Sequence, residues 1–193
     1  MEQLDPEVQR ERARWRKKTK HVDPQRLVFL DESNAKTNMT RLYGRAPRGE
    51  RVVDYVPDGR WESFTMLSAL RYDGTTTTMV YEGGTDIAAM ETFIEGFLAA
   101  VLKPGDIVAM DNLSSHRNPD VIAAIKATGA EVWFIPRYSP DMNPIEEMWS
   151  KVKALLRKYA ARSKKDLLQA IRQALEAVTS QDATGWYADA GYT

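Results

Sequence analysis

LVFLDES, residues 27–33, and DIVAMDN, residues 106–112, are two versions of one pattern. Each carries a run of four mainly apolar residues that stops on an acid, as in a short strand buried on both faces whose C-terminal end leaves the core. Asp31 and Glu32 stand at the exit of the first and Asp111 at the exit of the second. An aspartate at a strand end often does no more than terminate the strand. Seen twice, the pattern suggests neighbouring strands that bring Asp31 and Asp111 together at one edge of a sheet. Two close carboxylates raise one another's pKa unless a cation lies between them.

Outward from these strands the chain alternates. Between them, ESFTMLSALRY (62–72) and TTTTMVYE (75–82) are joined at Asp73-Gly74, a strong hairpin signal, and RVVDYV (51–56) predicts a short strand within a Gly- and Pro-rich stretch. From Thr85, Ile87, Met90, Phe93, Ile94, Phe97, Leu98 and Val101 recur at three and four residues, predicting a helix closed by Pro104-Gly105. A helix follows from Pro119 to about Thr128, with Gly129 past its end; EVWFIP (131–136) is a further strand. Two helices follow, from Pro144 to about Arg162 and from Lys164 to Val178. This order predicts an α/β layered domain with a mixed sheet.

Helix geometry supplies a third acid. Asn143-Pro144-Ile145-Glu146 is a helix start with an Asn cap and Pro at the first position. At 100° per residue from Ile145, Met148, Trp149, Val152, Leu155, Leu156 and Tyr159 fall between about 280° and 40° and predict a core face, Glu146 borders it at about 100°, and Glu147 points to solvent at about 200°. Glu146 is thus either a capping-box partner, a ligand, or both in turn.

Composition limits the chemistry. The 193 residues hold 27 Lys+Arg, 27 Asp+Glu, two His and no Cys, which excludes disulfides, thiolate zinc sites and a Cys nucleophile. Any metal sits on oxygen or imidazole, and clustered carboxylates suit Mg²⁺ or Mn²⁺. No apolar run approaches a membrane span, so a soluble cytoplasmic protein with no membrane partner is expected. The zero net charge hides segregation: residues 1–60 carry 14 basic and 10 acidic groups, 61–120 carry 3 and 9, and 121–193 carry 10 and 8. Residues 1–22 read as a charged linker or solvated helical arm with Val8 and Trp15 as its only large apolar residues in 6–20, 23–180 as the domain, and 181–193 as a C-terminal tail.

LVFLDES, MLSALRYDG, MDNLSSH and above all IPRYSPDMNPIEEMWSKVK resemble the catalytic domain of DDE transposases of the mariner superfamily, in the branch typical of bacterial insertion sequences. The resemblance covers roughly residues 22–180. It implies an RNase-H-like fold with a five-stranded mixed sheet flanked by helices. It also implies two Mg²⁺ (or Mn²⁺) ions on Asp, Asp and Glu, with 34 residues between the second Asp and the Glu, which is the number between Asp111 and Glu146. The implied acids are Asp31, Asp111 and Glu146, catalytic and metal-binding. The implied function is Mg-dependent cleavage and strand transfer at transposon ends into target DNA, by a homodimer acting at the bacterial nucleoid. Family members carry an N-terminal helix-turn-helix region, expected here from a full-length or frameshifted product. Arg45 stands where the family pattern has Trp. Two other readings are a non-catalytic remnant that binds DNA or a full transposase, and a stand-alone RNase-H-like nuclease.

Supporting residues are read from position. His116, five residues after Asp111, is placed to meet phosphate or a carboxylate, and Asn112 to orient Asp111 or touch DNA. The solvated alternative is preferred for Glu32 and Glu147. Lys151, Lys153, Arg157 and Lys158 belong to a basic run without acids, suited to phosphate neutralisation or simply a solvated helix face. Arg137 and Tyr138 are placed to clamp a strand by charge and stacking.

Overall fold

The computed structural model describes residues 5–193, so residues 1–4 of the expected arm lie outside the described residues. Five strands form one sheet: β1 (Leu27–Lys36), β2 (Ser63–Arg71), β3 (Thr76–Tyr81), β4 (Ile107–Met110) and β5 (Glu131–Phe134), ordered β3-β2-β1-β4-β5. β1, β2 and β3 pair antiparallel, whereas β4 and β5 extend the sheet in parallel from β1. Phe29 pairs with Ala109, so continuing the register by two residues sets Asp31 level with Asp111.

The period of two along β1 and β4 divides the core. Leu27, Phe29, Ile107 and Ala109 face a layer made by α1 (Pro6–Thr19), α4 (Pro144–Tyr159), α5 (Lys164–Glu176) and α6 (Ser180–Asp189). Val28, Leu30, Val108 and Met110 face α2 (Ile87–Phe93), its π-helical continuation Ile94–Leu98, and α3 (Pro119–Ala127). Asp31 and Asp111 continue the first set and therefore point to the side that carries α4.

The Asp73-Gly74 turn forms as expected. Gly74 has φ +85°, and a Cβ there would lie 2.8 Å from the backbone of Thr179, so the hairpin packs against the start of α6 through a position only glycine fills. Asn118 caps α3, and Gly129 follows it at φ +85°.

Several expectations are revised. RVVDYV forms no strand: Val52, Val53, Tyr55 and Val56 are exposed, because no neighbouring strand supplies partners for its backbone. α2 buries Met90 and Phe93 but leaves Ile87 exposed, as are Phe97 and Val101 beyond it. α4 ends at Tyr159, before Arg162, because Ala160 turns left-handed at φ 51°. Tyr159 is 40 % exposed and lies outside the core.

The expected tail and solvated arm pack onto the domain. Thr179 and Asp182 form a capping box that starts α6. The buried Tyr187 hydroxyl shares its proton between the carbonyls of Leu27 and Leu70, at 2.9 and 3.0 Å. α1 keeps its charges outward yet buries Val8, Arg12, Trp15 and Thr19. Arg12 grips both carboxylate oxygens of Asp141 and the hydroxyl of Ser139, while Tyr192 accepts from Trp15 Nε1 and donates to the Met142 carbonyl. Both chain ends therefore hold the loop that leads into α4.

Candidate active site

The acids come from three elements. Asp31 leaves β1 in its middle, Asp111 follows the last residue of β4, and Glu146 sits in the first turn of α4. All three line one cavity of about 430 Å³ together with Asn143, Tyr138 and Arg137. Residue 147 is exposed and faces Asp189 of α6, away from the cavity, as the helical wheel requires.

Charge in the cleft is out of balance. Burial pushes the Asp31 carboxyl up to about 7, and the like charges of Glu146, Glu32 and Asp111 add to the effect. Burial works the same way on Asp111, but His116 and the Leu113 N–H, which donates to its Oδ1 at 3.0 Å, outweigh it and hold that carboxyl below its ordinary value. His116 is fully buried, with Nδ1 2.6 Å from Asp111 Oδ1 and Nε2 3.3 Å from Glu32 Oε2. Burial disfavours its charge, yet the two carboxylates raise its pKa to about 9, so the ring is an imidazolium at neutral pH. Neither contact is aligned as a linear hydrogen bond; the ring is held as an ion between two carboxylates. One imidazolium thus faces two of four neighbouring carboxylates, with Arg137 as the further cation on the cavity wall.

Glu32 is the residue that sequence reasoning set aside as solvated. Its exit from β1 beside Asp31 was visible, but the buried histidine it reaches lies 84 positions along the chain. Asn112 does not orient Asp111. It donates to the Ile135 carbonyl at 2.7 Å and accepts from Arg117 at 2.7 Å, tying the exit of β4 to that of β5. Asn143 does not cap α4 with its side chain; its amide oxygen is buried without a donor at the cavity wall.

Among the described residues no three His, Asp or Glu side chains converge on one point as a chelate requires. The donor chemistry nevertheless fits hard divalent ions: three carboxylates, an unpartnered amide oxygen and a surplus of negative charge. Asp31, Asp111 and Glu146 are the residues that would hold them.

The basic candidates divide. Lys151 pairs with Asp182 of α6 at 2.5 Å. Lys153 and Arg157 lie seven and eleven residues beyond Glu146, within about 20° of it around α4, and neither pairs with an acid among the described residues. Lys158 lines a separate hollow with Arg41 and Arg162. Arg137 is held loosely by Glu7 and Glu11 of α1 at 3.4 and 3.5 Å, and Tyr138, at φ 56° and half exposed, is turned onto the cavity.

No curated protein matches this sequence. Several of the solved structures that resemble the fold are of Mos1 transposase. The Mos1 transposase paired-end complex with left transposon end is 16 % identical with a TM-score of 0.77, covering 94 % of this chain and 58 % of that one. The Mos1 mariner paired end complex with Mn gives 15 % and 0.77, over 95 % and 59 %. The Mos1 transposase catalytic domain with Raltegravir and Mg gives 13 % and 0.70, over 95 % and 89 %. The chain therefore spans less than three-fifths of the first two and has the RNase-H-like fold of the Mos1 catalytic domain. A family model described as DDE superfamily endonuclease matches residues 26–168, three-quarters of the chain, and the chain belongs to that family.

Proposed function

We propose that this chain is the catalytic domain of a mariner-type DNA transposase that cuts DNA at transposon ends and joins them to target DNA. The observation that carries the reading is the meeting of Asp31, Asp111 and Glu146 on one cavity with unbalanced negative charge. The Mos1 structures solved with Mn and with Mg support a divalent cofactor. Two such ions, when bound, would activate the attacking oxygen and stabilise the leaving one in an in-line displacement.

In cleavage, a water oxygen forms a bond to phosphorus as the bond to the 3′ oxygen breaks, leaving a 3′-hydroxyl and a 5′-phosphate. In joining, that hydroxyl attacks a target phosphodiester and expels a 3′ oxygen in turn. No covalent enzyme intermediate is needed. Asp31, Asp111 and Glu146 would hold the ions, and His116, anchored by Glu32, fixes Asp111. Asn112 fixes the loop that carries Asp111. Lys153 and Arg157 extend from Glu146 along α4 as a phosphate track, with Arg137 and Tyr138 at the cavity mouth.

The active form is a homodimer acting on DNA in the bacterial cytoplasm, with end recognition by a helix-turn-helix region. Leu42, Tyr43, Val53, Tyr55 and Val56, all more than 60 % exposed in an extended segment, offer an apolar surface to a second copy. No helix among the described residues is long and apolar enough to cross a membrane. The test is nicking of supercoiled plasmid in Mg²⁺ or Mn²⁺. Nicking should vanish in Asp31→Ala, Asp111→Ala and Glu146→Ala and persist in Glu147→Ala; nicking that survives the three acid substitutions rules the site out.

A further inference from the structure

A second groove opens beside the acid cleft. It encloses about 290 Å³ between α1 and the exits of β4 and β5, and shares Asn112, Ile135, Pro136 and Arg137 with the cleft, so the two are continuous. Its charge has the opposite sign. Arg14, Lys18, Arg117 and Arg137 line it against the single acid Glu11, which already faces Arg137.

Apart from Arg137, the cations of this groove form no ion pair with an acid among the described residues. Lys18 Nζ sits 3.5 Å from the centroid of the Trp133 ring. The Arg117 guanidinium lies 5.5 Å from the centroid of Phe134 and is steadied by the Asn112 amide oxygen. Arg14 is exposed and has no partner among the described residues. Aromatic faces and a neutral amide thus fix two of the charges in place while leaving them available to an anion. The volume is at the lower end of ligand pockets, suited to a nucleotide at a time and too confined for a duplex. Cationic walls beside aromatic side chains are the chemistry of a single-strand path.

We propose that this groove binds the backbone of a single DNA strand continuing from the acid cleft, with Arg14, Lys18 and Arg117 neutralising its phosphates. The proposal rests on the endonuclease reading and extends it by a strand path on α1. Arg137, at the junction of groove and cleft, marks where the strand passes from one to the other.

The test is fluorescence anisotropy without divalent metal, using a labelled oligothymidylate of about twelve residues and a duplex of the same length over a range of salt. Arg14→Ala/Lys18→Ala is compared with Lys17→Ala/Lys20→Ala, which removes the same charge from the last turn and C-cap of α1 outside the groove; circular dichroism checks that both fold. The groove pair should weaken single-strand binding on the order of tenfold and lower its salt slope by about 1.4, at about 0.7 per phosphate contact, with a smaller change on duplex. The control pair should move the slope by less than half as much. Equal effects of the two pairs, or none from the groove pair, overturn the proposal. A parent chain that binds duplex but not single strands overturns the groove alone, whereas one that binds neither overturns the endonuclease reading as well.

Discussion

Two aspartates bracket β4, and their surroundings differ in kind. Asp106, just before the strand, is 4 % exposed; its Oδ2 accepts from Arg71 Nη2 at 2.5 Å and from the Lys103 N–H at 2.8 Å. Its charge is matched where it stands. Asp111, just after the strand, shares its end of the sheet with Asp31, Glu32 and Glu146 and with one imidazolium. A buried carboxylate with matched partners holds a fold together; a surplus of carboxylates at the C-terminal ends of parallel strands marks where a cationic ligand binds.

Exchanging one charge at each end separates these roles. Asp31→Asn, Asp111→Asn and Glu146→Gln should each reduce metal-dependent nicking by at least about 10³-fold, since each removes a charged ligand from the metal-binding set. The urea midpoints of Asp31→Asn and Glu146→Gln should not fall. Asp106→Ala should do the opposite: it strands the Arg71 guanidinium in a buried position and costs about 3 kcal/mol in urea unfolding, while the folded fraction keeps its nicking rate. Loss of activity in folded Asp106→Ala, or a fold-breaking Asp31→Asn, would erase the distinction.

The next effect is smaller and depends on pH. Asp31 titrates near 7 in the fold, against about 4 in the unfolded chain. The native state therefore binds the extra proton between those values, and stability from this group is present below about pH 4 and lost as pH rises through 7. Without metal, the melting temperature of the parent should fall relative to Asp31→Asn over that interval, by a few degrees. Added Mg²⁺ should close the gap at pH 8 by stabilising the ionised carboxylate of the parent. A gap that ignores both pH and metal would mean that Asp31 carries no unmatched charge.

The strands that bear Asp31 and Asp111 were legible because four apolar residues followed by an acid leave few alternatives, and Glu146 because α4 is long enough to fix its own face. What was illegible depends on contacts between distant positions. Glu32 meets His116, and Lys151 meets Asp182, only across long stretches of chain. The packing of α1 rests on Arg12 meeting Asp141 and on Trp15 meeting Tyr192, 129 and 177 residues away. α6 carried a readable signal in Thr179 and Asp182, a capping pattern that marks a helix start at the head of the expected tail. RVVDYV shows the reverse limit: β propensity without a partner strand makes no strand.

The smallest effect lies on α4 itself, where Lys151 and Lys153 repeat the contrast with the sign of charge reversed. Lys151 is matched by Asp182, whose carboxyl the ammonium and Thr179 hold down to about 2; Lys153 has no acid partner. Lys151→Gln should cost no more than about 1 kcal/mol at pH 7, because the pair is only partly shielded from solvent. That cost should disappear as pH falls from about 4 towards 2, where Asp182 takes up its proton and the parent loses the same interaction. DNA affinity of Lys151→Gln should match the parent. Lys153→Gln should leave stability unchanged at every pH while lowering the salt slope of duplex binding by about 1. The two substitutions remove the same charge two residues apart on one helix, so a shared response in either readout would show that matching by a neighbour does not decide which charges meet DNA.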